Sequence, residues 1–131
     1  MAGRIRRALR ELLIPGDIER IVVPPKPAHA RPRSSKWPAA RLAWLHDHPR
    51  CAACGACTRL EVHHKWPFIY YPERELDNTN LVTLCEGEAC NCHFVFGHSR
   101  DWRAYNPDVD SDAALALVRI RDRLRGRVGG V

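Results

Sequence analysis

Cysteines and histidines alternate along the middle of this chain in an order that could hold two metal ions. Cys51-Ala52-Ala53-Cys54 is followed by Glu61-Val62-His63-His64, then Asn80-Leu81-Val82-Thr83-Leu84-Cys85, then Cys92-His93. Four thiols in two distant groups suit a structural zinc, which takes four thiolates or imidazoles in a tetrahedron. A tight Cys-x-x-Cys supplies Cys51 and Cys54 from one turn, and Cys85 is the third ligand. The fourth is Cys92 or Cys90, and spacing leaves both open. Cys57 has no evident role. Two histidines from distant parts of the chain could share a second ion, with a third beside them as a free base. A neutral imidazole titrates near operating pH and can deprotonate water. On consecutive positions of a strand His63 and His64 point to opposite faces, so they should not do the same job.

Phosphodiester cleavage is one chemistry that uses both an ion and a base, because it requires a nucleophile, charge relief on phosphoryl oxygens and help for the leaving oxygen. From Trp37 to Pro107 the chain carries C-x-x-C-G, L-E-V-H-H, P-F, E-L-D, N-L, L-C, N-C-H, G-H, W and Y-N-P. In these motifs it resembles the HNH nucleases, named for their His, Asn and His, and above all the small phage and bacterial type. The resemblance implies a small α+β fold: a zinc-stabilised ββα-metal, treble-clef-like core with flanking helices. It implies a metal-dependent DNA endonuclease, with DNA approached through the minor groove and read with weak sequence specificity.

Carried over residue by residue, the resemblance makes His63 and His93 ligands of the catalytic ion and His64 the general base. Asn80 supports the loop that carries His64. It selects Cys92 as the fourth zinc ligand beside Cys51, Cys54 and Cys85. His98 is an open alternative as a further ligand, because it follows His93 by five residues with Gly97 between, where four is usual. Lys65 departs from the family, standing where an apolar residue is more common. The expected cofactors are structural Zn²⁺ and catalytic Mg²⁺ or Mn²⁺, with Ni²⁺, Co²⁺ or Zn²⁺ also acceptable to histidine. Two further functions fit the same residues: a non-catalytic zinc-stabilised DNA-binding module, and a partner-dependent component of a phage packaging complex, with a terminase or a second copy as partner. The H-x-E plus P-C-x-x-C pattern of zinc deaminases is absent.

Stepping outward, 131 residues suit one small domain with tails, whose core is small enough to need a metal staple. Net charge is +6, unevenly spread. Residues 1–50 carry 11 basic and 4 acidic side chains, residues 51–107 carry 5 and 7, and residues 108–131 carry 5 and 4. The positive charge therefore sits ahead of the motif, where Arg31, Arg33 and Lys36, together with Lys65, are candidate phosphate contacts. The alternating arginines from Arg119 to Arg127 could add more. The basic start has no apolar run of secretory type and no stretch is long enough to span a membrane, so a cytoplasmic protein of a bacterium or phage-infected host is expected.

We divide the chain into a basic arm with a short helix and a Pro-rich linker (1–36), a nuclease domain (37–107), and a helix with a frayed tail (108–131). Within the arm, Arg4 to Ile14 has helical spacing and Pro24 to Arg33 reads as extended. Trp37 to Leu45 should be helical and stop at His48-Pro49, with Trp44 and Leu45 facing the core. His46 and His48 read as surface residues. Leu60 to His63 and Leu81 to Leu84 should be strands, separated by an aromatic loop, Trp66 to Glu75, and a turn at Asp77 to Asn80. A helix should carry Cys92, His93 and Phe96 and end near Gly97. Ser111 is a candidate cap for a last helix reaching Arg125, with Leu115, Val118 and Leu124 on one side. Trp66, Phe68 and Tyr70 could stack on bases, whereas Trp102 and Tyr105 should pack against the zinc module.

Overall fold

The computed structural model describes residues 22–88 and 90–128. The expected helix from Arg4 to Ile14 lies outside them. Two strands form the centre: β1, Leu60–His64, pairs antiparallel with β2, Leu81–Cys85, in the register Leu60↔Cys85, Val62↔Thr83, His64↔Leu81. Every residue of β2 is buried, whereas β1 is buried only at His63 and His64. Leu, Val and Thr suit a strand covered on both faces. A two-stranded hairpin is marginal alone, so its stability must come from what packs on it.

Helix α1, Trp37–Asp47, has Pro38 in its first turn, where the missing N–H costs nothing. It buries no residue completely, and Trp44 and Leu45 are half-covered. Polar contacts seat it instead. The Trp44 indole donates to Thr83 Oγ1 (3.0 Å), Thr83 donates to the His48 carbonyl (2.9 Å), and Arg41 pairs with Glu61 (2.9 Å).

Helix α2, Val109–Val128, starts two residues before the expected cap. Asp110 and Asp112 sit in its first turn and Arg125 and Arg127 in its last, signs that suit the helix dipole. Its larger apolar residues do not form its buried side. Leu115, Val118 and Leu124 are each about half exposed, and Val109, Ala113, Ala116 and Ile120 are buried. Those four recur at helical spacing and pack with Cys51, Leu84, Cys85, Cys92 and Phe96 in one core. Alanines let the helix backbone come close to the cysteines, which larger side chains would prevent.

The connection from β1 to β2 contains two 3₁₀ turns, Pro72–Arg74 and Asn78–Asn80, the second capped by Asp77 accepting from Thr79 N–H (2.9 Å). The extended residues ahead of α1 touch both this loop and the segment before α2: Tyr70 donates to the Pro24 carbonyl (3.3 Å), and Val22 bridges Tyr105. The result is a small α+β fold with one two-stranded antiparallel sheet among its described residues. None of their helices is long and apolar enough to cross a membrane.

Candidate metal centres

Cys51 and Cys54 lie in a tight turn. Gly55 N–H donates to the Cys51 carbonyl and Cys51 N–H to the Ala56 carbonyl, both 2.8 Å. Gly55 has φ +76°, which a side chain would strain. Cys85 ends β2 and Cys92 precedes the histidine turn. One sulfur from each of Cys51, Cys54, Cys85 and Cys92 lies within 4.8 Å of every other. Cys54 and Cys85 sulfurs are 3.7 Å apart. Two thiolates on a zinc tetrahedron with bonds of about 2.3 Å lie about 3.8 Å apart, so the spacing fits.

Without a cation the four thiols do not all ionise together. Hydrogen bonding from Cys54 draws Cys51 down to about 7, and contact with Cys51 first, then Cys54, holds Cys85 low. The same contacts, Cys51's foremost, push Cys54 and Cys92 up. Four thiolates cannot coexist this closely without a cation. Cys90 is buried 3.3 Å from Cys92 but outside the four-sulfur set.

A second group converges from other elements. One nitrogen from each of His63, His93 and His98 lies within 4.8 Å of the others. His63 comes from β1. His93 opens a single turn, His93–Gly97, which ends where the expected helix ends but is wound as a π turn. Asn91 caps this turn through Phe94 N–H (3.0 Å), and His98 N–H donates back to the His93 carbonyl (3.2 Å). A π turn places residue i+5 over residue i, so the five-residue spacing that counted against His98 brings its ring to 4.9 Å from that of His93.

Each outer nitrogen of two rings is occupied. His98 Nδ1 donates to the Ala104 carbonyl (2.7 Å), and His93 Nδ1 meets Glu86 Oε2 (3.4 Å). Such partners fix the tautomer and turn the other nitrogen inward, as around bound metals. His93 Nε2 and His63 Nδ1 are 3.1 Å apart. Imidazole nitrogens about 2.1 Å from one ion lie about 3.0–3.4 Å apart. His63 Nε2, the nitrogen that does not pair with His93, is buried without a hydrogen-bond partner. Burial pushes the pKa of His63 well below its ordinary value, and neighbouring His93 and His98 add to this. Burial also lowers His98. Neutral imidazoles are the form that binds metal.

His64 takes the other side of β1. It is buried, its ring lies 4.6 Å from that of Trp37, and its Nε2–H donates to the Glu75 carbonyl (2.9 Å). Nδ1 is left with no hydrogen-bond partner among the described residues. Asn80, fully buried, accepts from Trp66 N–H (2.8 Å) and donates to the carbonyls of Trp66 (3.0 Å) and Arg74 (3.1 Å). It thereby ties both ends of the loop following His64.

The expected phosphate contacts are divided. Arg31 and Lys36 are exposed. Lys65 is mostly covered and pairs with Asp110, and Arg33 pairs with Glu75 (3.2 Å). Trp102 and Tyr105 do not cover the zinc module. Tyr105 packs on Trp66, Tyr70 and Tyr71, and Trp102, half exposed, lies over His93, Phe94 and His98. The sequence reading missed Glu86, the Ala104 carbonyl and Gly97. Only Gly97 left a trace, as a helix end. Compared with known proteins, the chain matches no family model, no curated protein and no solved structure.

Proposed function

We propose that this protein is a metal-dependent endonuclease of the HNH type, hydrolysing phosphodiester bonds in double-stranded DNA with weak sequence specificity. What supports the reading is the convergence of His63, His93 and His98 beside a carbonyl-anchored His64, around a hairpin with a four-cysteine cluster at its end. In this reading Cys51, Cys54, Cys85 and Cys92 hold a structural Zn²⁺ in a ββα-metal core.

His63, His93 and His98 would hold the second ion. A divalent cation there relieves charge on the phosphoryl oxygens and the leaving 3′-oxygen. Three imidazoles and no carboxylate suit Zn²⁺, Ni²⁺ or Co²⁺ better than the hard Mg²⁺, which prefers oxygen ligands. His64 does the proton chemistry. The Glu75 carbonyl holds the proton on Nε2, so the Nδ1 lone pair is free to take one from water. Burial lowers the His64 pKa, so the ring stays neutral and competent near pH 7. Asn80 holds the loop beside it and touches neither water nor phosphate.

Supercoiled plasmid tests this. Purified zinc-loaded protein is incubated with EDTA, Mg²⁺, Mn²⁺, Ni²⁺ or Zn²⁺, with His64→Ala alongside. Nicking that needs an ion and disappears in the variant, with DNA binding kept, is expected. Binding without cutting under any ion would favour the non-catalytic module.

A further inference from the structure

We propose that Glu75 is the positioning residue for His64 and that Arg33 latches it, which makes the extended segment ahead of α1 part of the site. The inference rests on the nuclease reading for its consequence, but its geometry stands apart from it. Glu75 makes two connections at once. Its carbonyl accepts from His64 Nε2–H (2.9 Å), and its carboxylate faces the other way. That carboxylate is 5% exposed. It accepts from Arg33 Nη1 (3.2 Å) and from Ser34 N–H (2.9 Å).

A buried carboxylate is costly unless paired and hydrogen-bonded, and here both partners come from two adjacent residues of the extended segment. Removing Arg33 leaves the charge unpaired, and the low-cost response is for Glu75 to swing toward water, carrying its carbonyl away from His64. Arg33 is itself held. Its guanidinium lies over the rings of Phe68 (4.8 Å) and Trp37 (5.2 Å), and Trp37 also flanks His64. Arginine suits this place because its planar fork can stack and donate together, which lysine cannot. The preceding carbonyl, of Arg74, accepts from Asn80, so both peptide groups flanking the Glu75 Cα are hydrogen-bonded. Arg33 therefore has an internal task in place of the phosphate contact expected from its charge.

The test uses full-length zinc-loaded protein and the variants Arg33→Ala, Arg33→Lys and Glu75→Ala. Long-range proton–nitrogen spectra of the imidazoles, recorded without DNA, report which His64 nitrogen carries the proton. Wild type should show the Nε2–H form with a slowly exchanging proton. Arg33→Ala and Glu75→Ala should show a mixture of forms, and Arg33→Lys a partial loss. Single-turnover cleavage at saturating protein should fall on the order of 10–100-fold, with DNA affinity and zinc content unchanged. An unchanged His64 signal in folded Arg33→Ala would overturn the latch. So would a cleavage defect that vanishes at saturating protein, which would make Arg33 a phosphate contact. If wild type cuts nothing, the nuclease reading fails while the spectra still decide the latch.

Discussion

A Cβ at position 97 would lie 2.9 Å from His63 Cε1 and 3.0 Å from Nδ1, closer than real side chains approach. Gly97→Ala should therefore push the His63 ring out of the cluster. We expect loss of the metal bound by histidine with the cysteine-bound zinc retained, read by metal analysis of the folded variant. Retention of both would show that the ring has room. Asn80→Ala removes three hydrogen bonds and strands buried backbone groups, at about 2–3 kcal/mol. Urea unfolding checks this, and a cost within about 0.5 kcal/mol would contradict it. His63, His64 and His98 all have lowered pKa values, so the fold binds fewer protons than the unfolded chain, whose histidines titrate near 6.5. Stability from this source is present above that value and lost as pH falls below it. The urea midpoint should drop between about pH 7.5 and about pH 5.5, and a flat response would argue against buried neutral histidines. Residue types and spacing made His63, His64, Asn80 and His93 visible in the sequence. Glu86 and Glu75 were not, because they act through a side chain and a carbonyl that only folding brings to a ring.

Among the elements, α2 shows where pattern misleads. Leu115, Val118 and Leu124 are its larger apolar residues, yet the core takes Val109, Ala113, Ala116 and Ile120. The small side chains are selected by closeness to the cysteines, a tertiary constraint that hydrophobicity along the helix does not record. Ala116→Leu should overpack the core and cost about 1–3 kcal/mol, whereas Leu115→Ser should stay within about 0.5 kcal/mol, both measured by urea unfolding. Equal costs would contradict burial of the alanine face. The strands were legible because alternation and β-branched residues mark them. The π turn was not, because a helix of ordinary pitch and a widened turn share the same residue preferences over five positions.

At the scale of the whole molecule, two clusters that could each hold a metal lie against one hairpin, and each draws on residues far apart in the chain. The core of a chain this size is small, so a zinc ion held by the cysteine site would carry much of the folding energy. Chelation of the tightly bound zinc should collapse the near-ultraviolet circular dichroism signal, and a folded zinc-free protein would contradict that. Arg31, Lys36 and the arginines of distal α2 are exposed, and under the proposed function they would give DNA binding a charge-driven part. Its logarithmic affinity should fall with logarithmic salt by about 0.9 per neutralised phosphate. The most direct single measurement is plasmid relaxation by protein stripped of exchangeable metal, refilled with one divalent ion at a time, beside His93→Ala, with tightly bound zinc quantified in each sample. Relaxation by the refilled wild type, and none by zinc-loaded His93→Ala, is the expected result. Equal relaxation by His93→Ala, or none by any refilled wild type, would contradict a histidine-held catalytic ion.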